Sequence, residues 1–381
     1  MKNQATNYKQ TKIDEIPSDW EVGNLGSVAL FQNGKSSPER DSHSKYPVYG
    51  ANGIIGYANQ PNANAGTVVV GRVGAYCGSL YYSQNPCWVT DNAIKGTVKS
   101  DFNSKYLYYL LRTLELNSRS GGSGQPLLNQ KILNAIEVTF PLLAEQQQQI
   151  VSVLSSLDDK IELNRRMNKT LEEIGKALFK YWFVDSETLG AKVELESFIE
   201  LNPRENLKKG EIARYVEMKD LPEQGMWVSS QVSKPYKGGS KFRNSDSLMA
   251  RITPCLENGK SALVNFLEDG ELAFGSTEYI VFRPKEKHYR EYVYYLVRNE
   301  RFRRHAIKSM VGSSGRQRVQ IDAIRNYKLK QPSEDLVEKF HNLMEPVFQR
   351  IKTNALENEI LSLLRDSLLP RLMSGRLRVS S

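Results

Sequence analysis

IVSVLSSLDDKIELNRRMNKTLEEIGKAL (Ile150–Leu178) and FHNLMEPVFQRIKTNALENEILSLLRDSL (Phe340–Leu368) are the stretches that decide the architecture. Apolar residues step by three and four through both, the spacing of a helix seam. At an offset of 190 the two superpose. Ile150, Val153, Leu154, Leu157 and Ile161 fall on Phe340, Leu343, Met344, Val347 and Ile351, and Leu171, Ile174 and Leu178 fall on Leu361, Leu364 and Leu368. Two polar seam positions repeat as well, Asn164 and Asn168 against Asn354 and Asn358. A buried seam asparagine costs stability but fixes register, because only one alignment lets the amides pair. We therefore expect two long helices packed as an intramolecular antiparallel coiled coil in which these asparagines meet; the alternative is that they lie solvated at the seam edge. The first helix is predicted from about Ala144 to about Asp185. Pro346 should kink or restart the second, and Pro370 should end it near Leu369.

Outward from the helices, the repeat continues. Lys105-Tyr106-Leu107-Tyr108-Tyr109-Leu110-Leu111 matches Glu291-Tyr292-Val293-Tyr294-Tyr295-Leu296-Val297. A Gly/Ser loop follows each, then a short apolar segment closing on Pro141 or Pro332. The tyrosines read as helix packing. Residues 20–100 and 191–290 carry strand-like runs such as Thr67–Val70 and Glu278–Phe282, punctuated by Asn-Gly and Asp-Gly turns. The expected fold is α+β. Two β-rich mixed domains are separated by the two long helices, with a pseudo-twofold internal repeat. The expected divisions are 1–143, 144–190, 191–332 and 333–381. The two domains are far less alike in sequence than the helices, which suggests one frame carrying two separately specified surfaces.

Length and charge bound the function. A chain of 381 residues suffices for two or three domains. No segment approaches the roughly 18 apolar residues of a membrane span, and the polar start is no signal peptide. Cys77, Cys87 and Cys255 have no metal-ligand spacing, so a reducing, cytoplasmic setting is expected. The net charge is +9, and all of it lies between Glu200 and Lys330, where 25 Lys and Arg face 16 Asp and Glu. Such asymmetry points to a polyanion partner, or else to a merely soluble basic surface.

Several segments resemble the specificity (S) subunits of type I restriction-modification systems. Ile16-Pro17-Ser18-Asp19-Trp20 leading into Leu25-Gly26, Tyr49–Gly56, Val70–Gly74 and Thr90-Asp91-Asn92 are similar to segments of that family's first target-recognition domain. Ile199–Arg204, Ala250–Lys260, Gly275–Glu278 and Gly315–Val319 are similar to motifs of its second. The resemblance implies two target-recognition domains, each reading one half of a split DNA site. It implies helical conserved regions that space them and dock two methyltransferase subunits, with a restriction motor-nuclease joining. It implies no cofactor on this chain, with S-adenosylmethionine, ATP and Mg on the partner subunits.

A reader of duplex DNA needs phosphate contacts for affinity and side chains at base edges for sequence. The Gly315–Arg318 turn offers Arg316, Gln317 and Arg318 on a glycine-rich backbone. Its counterpart in the first half offers Arg119, Gln125 and Asn129 and is expected to bind more weakly. Arg298, Arg301, Arg303 and Arg304 follow the tyrosine helix, Arg301 and Arg304 being the candidates kept. Lys237, Lys241 and Arg243 lie in a basic Gly-rich loop, with Lys260 nearby. Lys35, Ser36 and Arg40 form a comparable loop in the first half. Arg72 and Arg251, beside strand-like segments, are either guanine readers or structural partners of carboxylates such as Asp91 and Glu278. Ile150 to Leu178 spans roughly 42 Å as a helix, on the order of one duplex turn. Four residues inserted between Asn168 and Leu171 should then lengthen the recognised gap, which methylation mapping would read.

No catalytic set emerges. There is no ATPase phosphate loop. No Asn/Asp-Pro-Pro-aromatic segment appears, since Asn202-Pro203-Arg204 stops short. Asp158-Asp159-Lys160 is the shortest form of a metal-nuclease pattern but falls on the seam helix. The alternatives are a stand-alone DNA-binding protein, a nuclease with an unrecognised active site, or a coiled-coil scaffold binding protein or glycan.

Overall fold

The computed structural model describes residues 7–99, 102–119, 121, 126–185, 190–228, 232–313 and 315–379. The chain forms two compact units. Unit 1 is Met1–Lys160 with Ile360–Ser381, and unit 2 is Ile161–Glu359. Each long helix thus belongs partly to both.

Unit 1 is built on strands β1 (Ala29–Asn33), β2 (Thr67–Gly71), β3 (Leu80–Ser83) and β4 (Ala93–Val98), all antiparallel, in the order β1-β4-β2-β3. Every residue of β2, Thr-Val-Val-Val-Gly, is buried, as a central strand covered on both faces requires. Helix α1 (Ser104–Arg112) packs against this sheet. Asn103 caps it, its side-chain oxygen accepting from the amides of Lys105 and Tyr106. Tyr106 and Tyr109 are buried in that packing, as the sequence suggests. A second sheet pairs Tyr46–Gly50 antiparallel with Gly53–Ala58 and parallel with Trp88–Val89. Helix α2 (Ala144–Phe179) follows and continues into a π-helical turn, Lys180–Val184.

Unit 2 has β5 (Ile199–Leu201), β6 (Ser247–Ala250), β7 (Ser261–Leu263) and β8 (Tyr279–Pro284), in the order β5-β8-β6-β7. That is the order of unit 1, strand for strand. The second sheet repeats too. Ile212–Val216 pairs antiparallel with Val232–Pro235 and parallel with Ala273–Gly275, and one further strand, Ser240–Phe242, is added. Helix α3 (Arg290–Arg298) matches α1 and buries Tyr292, Tyr294 and Tyr295. The two domains therefore share one topology despite their unlike sequences.

Helix α4 (Glu334–Met373) is continuous, which corrects two expectations. Pro346 neither breaks nor restarts it. The proline is exposed, while Met344 and Phe348 beside it are buried. The carbonyl that loses its amide partner can face water, and core packing holds the turn together. Pro370 does not end the helix either. It is also exposed, and buried Leu369, Leu372 and Met373 carry the helix past it. Termination falls at Gly375, at φ +72°, whose amide donates to Leu372 O (3.2 Å). A side chain there would sit 2.5 Å from Pro17 Cγ, so only glycine fits the left-handed cap.

Within unit 2, α2 and α4 run antiparallel, and the asparagines meet. Asn164 Nδ2 donates to Asn358 Oδ1 (3.0 Å) and Glu357 Oε2 (2.8 Å), and Asn354 Nδ2 donates to Asn168 Oδ1 (2.7 Å). Asn168 Nδ2 donates to Ile351 O (3.2 Å). Each asparagine meets the non-equivalent one of the other copy. Antiparallel pairing related by a pseudo-twofold demands this, because the axis exchanges the two pairs. Asn164 and Asn354 are fully buried. No helix among the described residues is long and apolar enough to cross a membrane.

Candidate nucleic-acid interface

One corner is built twice. In unit 1, Arg72 directly follows β2. Its N–H donates to Asn92 O (3.0 Å) in the loop before β4, and its carbonyl accepts from Leu128 N (3.0 Å). Val73 and Gly121 both bridge Leu127. In unit 2, Arg251 directly follows β6. Its N–H donates to Glu278 O (2.9 Å) in the loop before β8, and its carbonyl accepts from Val319 N (2.9 Å). Ile252 and Val311 both bridge Arg318. Three loops thus converge on an arginine in each domain by the same backbone bonds.

The two guanidinium groups are poorly satisfied. Arg72 Nη1 reaches only Asp91 O at 3.5 Å, and Arg251 Nη2 reaches Val319 O at 3.2 Å. The Nε of each is buried with no partner among the described residues. Neither forms the carboxylate pair that the sequence left open. Glu278 binds Arg318 instead, Arg318 Nε and Nη2 donating to its carboxylate at 2.8–3.0 Å. That contact pushes the Arg318 pKa further up.

The other candidates divide by position. The first corner also holds Lys35, exposed, whose amide donates to Val89 O, and Ser36, whose carbonyl accepts from Trp88 Nε1. Asn129 stands one residue beyond Leu128 but caps the helix Gln130–Ala135, accepting from Ile132 N at 2.9 Å. Gln125 lies outside the described residues. The second corner holds Arg316, exposed, and Gln317, whose backbone is clamped at both ends to Thr253 (3.1 Å each).

Several candidates have structural tasks that residue type did not show. Arg40 donates to Ile55 O (3.0 Å) and Arg119 to Leu114 O (2.9 Å). Lys241 donates to Glu205 O (2.7 Å) while lying 5.0 Å over the Tyr236 ring. Lys260 is turned to Met218 O and Lys219 O (2.9 and 3.3 Å). Arg243 stands 3.9 Å from Glu205, and Arg304 donates weakly to Glu300 O (3.3 Å). Arg298 points inward to the carbonyls of Glu223, Gly225 and Ser261 and is not available to a ligand. Arg301 and Lys237 remain exposed, and their side chains make no hydrogen bond or ion pair to described residues.

Residues 17–173 match the type I restriction modification DNA specificity domain. The chain is 27% identical to the type I restriction enzyme MjaIX specificity subunit of Methanocaldococcus jannaschii, over 98% of this chain and 97% of that protein. The chain is similar to type I restriction specificity subunits over nearly its whole length. The HindI specificity subunit of Haemophilus influenzae is 22% identical over 61% of this chain and 67% of its own length. The crystal structure of a type I S subunit from M. genitalium superposes with a TM-score of 0.61 at 14% identity, covering 93% of this chain and 96% of that one, so the fold is shared.

Both corner arginines were legible in the sequence, but not their equivalence. The signal was available. Val70-Gly71-Arg72 and Met249-Ala250-Arg251 each place arginine after a buried strand and before a glycine- or proline-bearing loop. What hid it was the offset, which differs from that of the helices because the intervening loops differ in length. The Asp158-Asp159-Lys160 run is likewise explained by structure, since Asp158 accepts from Tyr109 Oη (2.7 Å) and Arg365 Nη1 (2.8 Å).

Proposed function

We propose that this chain is the sequence-reading subunit of a type I restriction-modification complex. Each domain takes one half of a split, asymmetric duplex target, and the antiparallel helices dock two methyltransferase subunits. A restriction motor-nuclease completes the complex, and S-adenosylmethionine, ATP and Mg belong to those partners. The observation that carries the reading is the corner built twice with unlike surroundings. Identical backbone geometry presents an arginine in both domains, but Asp91, Asn92 and Leu127 surround one, and Glu278, Arg316 and Arg318 the other. Two like frames with unlike chemistry suit two unlike half-sites. The excess charge between Glu200 and Lys330 gives the second domain more of the phosphate attraction.

The test is methylome sequencing of the host with and without this gene. The expected result is a bipartite adenine-methylated motif that disappears on deletion. An unchanged methylome in a host that expresses the chain and a neighbouring methyltransferase counts against it.

A further inference from the structure

We propose that Arg72 and Arg251 are the corresponding base-edge readers of the two domains, each recognising a guanine in its own half of the target. The inference rests on the DNA-reading function above and names residues for it.

Three observations support it. First, position is fixed where base reading needs it fixed. Each arginine leaves a fully buried central strand, β2 or β6, and both its amide and its carbonyl are bound by neighbouring loops. A side chain that must meet a base edge within a few tenths of an ångström needs such a support, whereas a phosphate contact does not. The exposed Lys35, Lys237 and Arg316 suit the latter role.

Second, each guanidinium lacks a counter-ion among the described residues. It has one backbone carbonyl at 3.2–3.5 Å and a buried Nε with no acceptor. Other arginines of unit 2 are matched, Arg318 beside Arg251 by Glu278 and Arg283 at the far end of β8 by Asp246 and Glu205. A half-buried fork left without a carboxylate is a costly arrangement for stability alone. It is the arrangement needed to receive two acceptors, and guanine offers N7 and O6 side by side in the major groove.

Third, the correspondence is independent of sequence likeness. The same donor–acceptor pattern holds both arginines although the loops around them share little sequence. Beside Arg251, Arg318 occupies both oxygens of Glu278, which keeps that carboxylate engaged, and unit 1 has Leu127 where unit 2 has Arg318.

The experiment uses the full chain co-expressed with its methyltransferase partner. Arg72→Gln and Arg251→Gln are made separately, and the methylated motif is sequenced for each. Each variant should relax one guanine position in one half of the motif, with discrimination there falling about tenfold or more, while the other half is unchanged. Binding of the purified complex to duplexes carrying 7-deazaguanine at single positions supplies the atomic readout. The wild type should lose affinity at one position per half, and each variant should be indifferent to the substitution in its own half. Circular dichroism and melting of each variant guard against misfolding, and Arg→Lys at each site should keep overall binding but not the discrimination. Equal weakening on all sequences with an unaltered motif would assign these arginines to phosphate and overturn the proposal. So would an unaltered motif at full strength. Absence of any split motif in the wild type would instead overturn the function on which the proposal rests.

Discussion

The joint between domain and helices is chemically different in the two halves. In unit 1, Tyr109 of α1 donates to Asp158 of α2, and Arg365 of α4 donates to the other Asp158 oxygen (2.8 Å). Arg365 and Arg112 both reach Asp366 (2.8 and 3.4 Å). Burial and the Asp158 carboxylate together push the Tyr109 hydroxyl pKa up. In unit 2, Tyr295 replaces Tyr109, but the counterparts of Asp158 and Arg365 at the offset of 190 are Phe348 and Gly175. The Tyr295 ring lies 5.7 Å from Phe348, and its hydroxyl crowds Gly175. Polarity moves one tyrosine along, where Tyr294 Oη donates to Glu172 (3.1 Å) and Met226 N donates to the same carboxylate (2.6 Å). Burial raises the Glu172 pKa, and Arg298 partly offsets this. An acid paired with a base in one half thus becomes a large residue paired with none in the other. The duplicated frame keeps shape and register, and its chemistry is free to drift.

The comparison can be broken most forcefully at Gly175. A Cβ there would lie 1.9 Å from Tyr295 Oη and 2.6 Å from Met344 Cε. Gly175→Ala should cost about 3 kcal/mol in urea unfolding, well beyond the ~1 kcal/mol of helix propensity gained. Adding Tyr295→Phe should recover only part, because the ring carbon Cζ would still stand 2.4 Å away. Wild-type stability for Gly175→Ala would show that the unit 2 joint is loose and that the shape argument fails.

Asp158→Ala tests the polar joint. It leaves the Tyr109 hydroxyl without its acceptor and Arg365 with Asp366 alone, and should cost about 2 kcal/mol, reduced from the fully buried case because Asp158 is a quarter exposed. Hydrogen exchange should quicken in α1 and not in α3. Equal quickening in both would mean that the two joints are not separate.

The asparagine seam joins the repeated positions of the two helices within unit 2, and its effect is smaller. Asn168→Ala should cost about 1 kcal/mol by removing the bond from Asn354. Leucine at both Asn168 and Asn354 should be neutral or stabilising but should loosen register, visible as more than one spin-label distance across the helices. A single sharp distance in the double variant would show that apolar packing alone sets the alignment.

The smallest effect belongs to the tail of unit 1. Arg378 donates to both oxygens of Asp19 and, with Gln146, holds that carboxyl well below the usual range against an opposing desolvation. A depressed carboxyl stabilises the folded state above its ordinary value near 4 and loses that contribution as pH falls through the lowered value. Because both side chains are about a third or more exposed, Arg378→Ala should cost only a few tenths of a kcal/mol at pH 7. The gap between variant and wild type should close as pH drops below about 4. A gap that stays unchanged from pH 5 down to pH 2 would point to packing rather than charge.

Sequence by itself determined the frame. The helices, the repeated asparagines and the tyrosine helices were legible because helical spacing and identical residues at a constant offset are local, one-dimensional signals. Both corner arginines were legible as residue types, as was the concentration of charge in the second domain. Only the tertiary structure decided which asparagine meets which, that Pro346 and Pro370 ride on the exposed side of an unbroken helix, and that Gly375 ends it. Only tertiary structure showed that the two domains share one strand order and one arginine corner, and that Glu278 belongs to Arg318 and not Arg251. These depend on antiparallel pairing and on strand contacts between residues far apart in the chain. Loops of unequal length erase any fixed offset between such contacts, while the backbone hydrogen bonds that define them leave no mark on residue type.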